Sequence, residues 1–156
     1  MSDHHNDNNS GRMLKRGPIL LIEDDPEFRN EAQSYLQKQG YEVICQDGAK
    51  NAVSYMQKKP WSWSPWLIIT DLVMDGMGGY QLIRRIQEIY PDKTIPVIVI
   101  SQLKNAEDVS EAELAGANAY LGKPVSMDKL LETVKYVTTR ITSASGSGRH
   151  FKQDLG

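Results

Sequence analysis

Apolar runs of four or five residues alternate with segments of helical spacing five times along this chain. Four of the runs are Ile19-Leu20-Leu21-Ile22, Trp66-Leu67-Ile68-Ile69-Thr70, Val97-Ile98-Val99-Ile100 and a stretch from Asn118 to Leu121. They are apolar almost throughout, without the in-out alternation of a strand that has one face in water. Strands of this kind are buried on both faces, as in a parallel sheet covered by helices. A fifth strand is predicted from Glu42 to Gln46.

Between the runs the period changes to that of a helix. Asp25 is a good N-cap, Pro26 suits the first helical position, and Gly40 is a stop. Phe28, Ala32, Tyr35, Leu36 and Gln39 mark one face of that helix. A second helix is expected from Ala49 to Lys58, with Ala52, Val53 and Met56 inward. A third carries Leu82, Ile83, Ile86 and Ile89. A fourth spans about Ala106 to Ala115 and stops at Gly116. A fifth starts near Ser126 and buries Leu130, Leu131, Val134, Val137 and Ile141. Strands alternating with helices of this length predict an α/β domain whose right-handed crossovers bring every strand's carboxyl end to one edge.

Composition narrows the picture. The 156 residues fit one domain, and 40% of them are hydrophobic, enough for a real core. Lys and Arg number 18 against 20 Asp and Glu, for a net charge of −2, which gives no electrostatic reason to expect nucleic acid. The lone cysteine, Cys45, cannot form an internal disulfide and reads as a small core residue of a reduced protein. No signal-peptide or membrane-spanning run is evident, so cytoplasmic location and no membrane partner are the expectation. Residues 1–17 have the composition of a disordered arm, and 142–156, with Ser-Ala-Ser-Gly-Ser-Gly, that of a flexible tail or linker. The unit between them is expected at 18–141.

The chemistry lies at the strand ends. The first strand runs into Glu23-Asp24-Asp25, the third into Asp71, the fourth into Ser101, and the last into Lys123-Pro124. In an open α/β sheet this rim is where ligands bind. A strand-end acid alone often only caps a helix, and Asp25 before Pro26 is read that way. Glu23, Asp24 and Asp71 together are different, because their mutual repulsion favours a divalent cation such as Mg²⁺. A hydroxyl from Ser101 and an ammonium from Lys123 complete a set suited to phosphoryl transfer to a carboxylate. Trp61, Trp63 and Trp66 lie in or beside a loop bracketed by Pro60 and Pro65. They are either partly packed or form an exposed patch.

The elements Leu21-Ile22-Glu23-Asp24-Asp25, Ile69-Thr70-Asp71, Ile100-Ser101 and Tyr120-Leu121-Gly122-Lys123-Pro124, with their intervals, resemble the receiver domain of two-component response regulators. The resemblance covers about residues 17 to 141. It implies a flavodoxin-like, doubly wound (βα)5 sandwich with a five-stranded parallel sheet of order 2-1-3-4-5. It implies Asp71 as phosphoacceptor, and Mg²⁺ held by Asp24, Asp71, Glu23 and the backbone carbonyl of Val73. Lys123 and Ser101 would contact the phosphoryl group, the Lys123–Pro124 bond would be cis, and Ser101 with Tyr120 would form the switch. The implied partners are a sensor histidine kinase or histidine phosphotransfer protein and a downstream protein target. The protein would be a phosphoacceptor switch and no enzyme in the wider sense, and a homodimer through the fourth and fifth helices stays open. Asp75, where the family commonly has proline after Met74, and Gln102, where a small residue is commoner, depart from the pattern. They keep alive a second reading, a phosphate-independent interaction module. A haloacid-dehalogenase-like phosphatase fits poorly, because Val73 stands where that family needs a second Asp.

Overall fold

Ile19–Ile22 forms β1 because all four side chains are apolar and both faces are covered; none is more than 1% exposed. The same logic makes β3 (Leu67–Thr70), β4 (Val97–Ser101) and β5 (Ala119–Gly122), each buried along its whole length. Only β2 (Val43–Gln46), near the sheet's side, is buried at a single residue. The computed structural model describes residues 16–72, 77, 79–103, 105–143 and 151–155.

The helices follow their sequence signals. In α1 (Pro26–Lys38) the Asp25 carboxylate accepts from the Glu27 amide at 3.1 Å, with Pro26 at the first position. Ala32 and Leu36 are buried, whereas Gln39, expected on the same face, lies just past the helix and is exposed. α2 is Ala49–Gln57 and α3 is Gly79–Ile89. In α4 (Ala106–Ala115) Asn105 accepts from the Asp108 amide at 2.8 Å, and the helix ends on Gly116 at φ 120°, a left-handed conformation that favours glycine. α5 (Met127–Ser143) opens with the Ser126 hydroxyl accepting from the Lys129 amide at 3.1 Å.

All strands are parallel, in the order β2-β1-β3-β4-β5 with one addition. The flavodoxin-like arrangement is therefore present. Odd-numbered side chains of β1 and β3 (Ile19, Leu21, Leu67, Ile69) meet Ala32, Leu36, Leu130 and Val134 from α1 and α5. Leu20, Ile22 and Ile68 point the other way, into a second core with Ala52, Met56, Leu82, Ile86, Val109 and Ala112 from α2, α3 and α4. Two cores sharing one sheet explain why these strands are apolar at every position.

The addition is a sixth strand, β6 (Lys152–Asp154), parallel to β5, with Gln153 opposite Tyr120. Sequence reading leads to five strands. Lys-Gln-Asp carries no apolar side chain, and an edge strand recruited through its backbone leaves no hydrophobic signature. The two described residues of the expected N-terminal arm lie on the domain. Arg16 donates to the Gly40 carbonyl at 2.7 Å and lies 4.0 Å over the Tyr41 ring, and Gly17 sits close against Trp66. Of the three tryptophans, Trp66 stacks on Tyr41 and Trp63 meets Tyr55 edge-on, while Trp61 is 92% exposed. Cys45 is half-buried against the α1–α5 core.

Candidate functional site

Register places the acids. Ile22 pairs with Thr70, so the next residues, Glu23 and Asp71, emerge side by side at the carboxyl edge, and the Asp71 amide donates to the Ile22 carbonyl at 3.2 Å. Ser101 pairs with Gly122, and the Lys123 amide donates to the Ser101 carbonyl at 2.8 Å. Four strand ends therefore converge, as the spacing predicts. Val73 of the expected ligand set, with Met74 and Asp75, falls outside the described residues.

Lys123 organises the centre. Its Nζ lies 3.0 Å from Glu23 Oε1 and 3.0 Å from Asp71 Oδ2. Glu23 and Asp71 are both buried, and one carboxylate oxygen from each of Glu23, Asp24 and Asp71 lies within 4.8 Å of the others. Asp24 is exposed. Two buried acids beside an exposed one form a donor set that fits a small divalent cation preferring oxygen ligands and water. The Lys123–Pro124 bond is cis.

The supporting groups are ones to which sequence reading gives no part in the site. Phe28, read as part of the α1 face, places its ring 5.0 Å from Lys123 Nζ, a cation–π distance. Arg29 donates to the Glu23 carbonyl at 2.8 Å, and Glu23 Oε2 accepts from the Asp25 amide at 3.1 Å. Phe28 and Arg29 follow the acids by one helical turn, which is the signal that could have found them. Gln102 lines a shallow groove of about 510 Å³ beside Lys123, with Asp25, Phe28, Glu31, Pro124 and Val125.

The hydroxyl pair lies one layer deeper. Ser101 is fully buried, and its Oγ accepts from the Leu103 amide at 3.2 Å. Tyr120 is also fully buried, turned inward, and donates to the Leu103 carbonyl at 2.6 Å. Both residues thus engage the backbone of Leu103, from adjacent strands.

Titration follows from burial. Desolvation raises the Glu23 carboxyl above its ordinary range, against the opposing pull of the Asp25 amide and of Lys123. Burial works against the Lys123 ammonium, but bonds to Asp71 and Glu23 outweigh it, and the net shift is upward. Removing the ammonium strands a buried carboxylate. Lys123→Ala is therefore expected to cost about 3 kcal/mol, the lower end for breaking a buried pair, because Lys123 and Asp71 keep some contact with water. The sign with pH is fixed by Glu23. A raised carboxyl contributes its stability below the ordinary carboxylate range and loses it as pH rises through the folded value. Without Lys123 that value climbs further, so the deficit is smaller at low pH, where the carboxyl is protonated in both chains, and grows as pH rises. About pH 5 and about pH 8 are the two conditions compared. Urea melts of both chains at the two pH values check this. An equal deficit at both would show that Lys123 does not hold Glu23 charged.

Fold and site together define a doubly wound α/β domain with an acid–lysine centre at the carboxyl edge of its sheet. The family model for the response regulator receiver domain matches residues 19–135, and the chain belongs to that family, the receiver domains of two-component systems. It is 32% identical over 122 residues, 78% of this chain and 90% of the relative, to an uncharacterized 14.6 kDa protein in the sodA1 3′ region of Leptolyngbya boryana. It is 30% identical over 121 residues to the heme response regulator HssR of Staphylococcus saprophyticus, covering 78% of this chain but only 51% of HssR. A solved response regulator receiver protein from Pseudomonas putida superposes with a TM-score of 0.67 at 31% identity, over 78% of this chain and 97% of that one. Receiver domains are phosphoacceptor switches that engage histidine kinases and downstream targets. Among the described residues, no helix is long and apolar enough to cross a membrane.

Proposed function

We propose that this chain accepts a phosphoryl group on Asp71, in a Mg²⁺-dependent reaction, from a histidine kinase or a histidine phosphotransfer protein. The observation that carries this reading is Lys123 bonded at 3.0 Å to both Glu23 and Asp71 within a cluster of three carboxylates. Asp71 Oδ attacks phosphorus in line. The new O–P bond forms as the bond from phosphorus to the donor's imidazole nitrogen breaks, and that nitrogen leaves with the electron pair. Lys123 turns from carboxylate to phosphoryl oxygen as negative charge arrives, while Phe28 keeps its ammonium over the site. The Ser101 hydroxyl, now an acceptor for the Leu103 amide, is the donor group one strand away. Glu23, Asp24 and Asp71, with the carbonyl of Val73, would hold Mg²⁺, which when bound neutralises charge on the transferring group.

Arrival of the phosphoryl group adds about −1.5 to −2 charge, by analogy with other phosphorylated side chains, and pulls Ser101 and Lys123 toward it. Because Ser101 and Tyr120 share Leu103, that pull reaches the surface made by α4, β5 and α5. Output would then be a contact with a protein target, and a homodimer through α4 and α5 would use the same surface. The chain's catalysis is limited to its own phosphorylation and dephosphorylation.

The test is intact-mass spectrometry of the whole chain after incubation with a small-molecule phosphodonor, with Mg²⁺ or with a chelator. The expected result is a gain of one phosphoryl group with Mg²⁺ only, removed by hydroxylamine, which cleaves acyl phosphates. No gain from either the small donor or a panel of histidine kinases, with the chain folded, would move the reading to a phosphate-independent interaction module.

A further inference from the structure

β6 is not part of what makes this chain a receiver, because the family match ends at residue 135. It nevertheless occupies a defined place. It lies on the open side of β5, where Lys152, Gln153 and Asp154 pair in parallel with Ala119, Tyr120 and Leu121, and the Lys152 amide donates to the Asn118 carbonyl at 3.1 Å. Alternation sorts its side chains. Lys152 and Asp154 face α5, where Asp154 Oδ2 lies 2.9 Å from Lys129 Nζ and Lys152 Nζ lies 5.2 Å from the Tyr136 ring. Phe151 and Leu155 flank the strand on its other side and pack against the core that holds Tyr120, Val109 and Ala112. Leu155 comes so close to Gly122 that a Cβ there would stand 3.2 Å from its Cα.

The seat is therefore specific, but the hold is shallow. None of residues 151–155 is buried, whereas β1, β3, β4 and β5 are buried throughout. Segments with little buried apolar surface are the first to open. A strand edge with unpaired backbone groups is also a ready template for another extended segment.

We propose that Phe151–Leu155 is a detachable strand that masks, within its own chain, a peptide-docking edge formed by β5 between α4 and α5. The partner it excludes is an extended peptide that adds in parallel to β5, with apolar side chains at its first and fifth positions and an acid at its fourth to meet Lys129. This deepens the receiver reading in one respect: the masked surface borders Lys123 and carries Tyr120, so the segment covers the face through which output is proposed.

The test uses the full chain without phosphodonor, so its failure is separate from any failure of Asp71 phosphorylation. Amide hydrogen exchange followed by NMR reads the Lys152 N–H, and fluorescence anisotropy reads binding of a labelled peptide, His-Phe-Lys-Gln-Asp-Leu-Gly. In the unsubstituted chain the Lys152 amide is expected to be protected and peptide binding weak. In F151S/L155S protection is lost and the peptide binds at least about tenfold tighter, the gain expected when a site that is open a tenth of the time becomes fully open. Asp154→Lys lowers protection, and the charge-reversed pair K129E/D154K restores it, which a general loss of structure would not do. An unprotected Lys152 amide in the unsubstituted chain would overturn the proposal, as would equal peptide binding by both chains. Protection that rises with protein concentration would overturn masking in cis, because the strand would then come from a second copy.

Discussion

Asp71→Asn is expected to take up no phosphoryl group under conditions that load the unsubstituted chain, a fall of at least about 10³-fold, the scale on which loss of a nucleophile acts. The substitution is close in shape. Asn keeps a carbonyl oxygen that can still accept from Lys123, which lies 3.0 Å from the present carboxylate, and Glu23 remains as the ammonium's other partner. What disappears is the anionic oxygen able to attack phosphorus. The acid cluster also falls from three carboxylates to two, so stabilisation by Mg²⁺ should weaken in the same variant, read as a smaller rise in melting temperature at fixed metal concentration. Intact mass with a melt recorded on the same sample separates chemistry from folding. Uptake that survives in a folded Asp71→Asn chain would place the acceptor elsewhere, with Asp24 and Glu23 of the same cluster the first candidates, and would sink the proposed mechanism.

Which parts of this molecule were readable beforehand follows from how each is held. β1, β3, β4 and β5 were legible because burial on both faces leaves a continuous apolar run, and their ends then located Glu23, Asp71, Ser101 and Lys123. α1 and α5 were legible from local chemistry, since Asp25 and Ser126 each accept a first-turn amide that is otherwise without a partner, and α4 from its stop at Gly116, while its Asn105 cap was seen only in the structure. β6 was not legible, because Lys-Gln-Asp joins the sheet through backbone bonds that any residues but proline can make, and its fixing contacts to Lys129 and Gly122 come from far along the chain. The roles of Phe28 and Arg29 were hidden for a related reason. A helical face says that a residue points inward, whereas only the packing of α1 against β1 and α5 says that Phe28 ends near Lys123 and Arg29 at the Glu23 carbonyl. The Trp-rich loop divides on the same principle: Trp66 and Trp63 are explained by aromatic neighbours, and nothing in the structure explains the exposure of Trp61.

Tyr120 carries the other large effect, because it serves the core and the switch with different atoms. Its ring is fully buried among side chains from the sheet and α4, while its hydroxyl donates to the Leu103 carbonyl at 2.6 Å. Tyr120→Ala removes the ring and leaves a cavity in a packed layer, at a cost of about 4 kcal/mol, the scale for deleting a large buried aromatic. For a chain of this size that is roughly a 12 °C fall in melting temperature. Tyr120→Phe keeps the ring and loses the hydroxyl's bond to Leu103 and its interaction with Ser101. Leu103 is partly exposed, so water can replace the donor and the cost is about 1 kcal/mol. The hydroxyl bonds to neither Asp71 nor Lys123, so Tyr120→Phe should also load phosphate at the unsubstituted rate. Thermal melts of both variants beside phosphoryl uptake separate the two functions. A loss below about 1 kcal/mol for Tyr120→Ala would mean that the site collapses around the missing ring and that the Tyr120 layer is not rigid. Slow loading by Tyr120→Phe would mean that the hydroxyl acts on Asp71 chemistry through Ser101, which interacts with it directly and shares Leu103 with it.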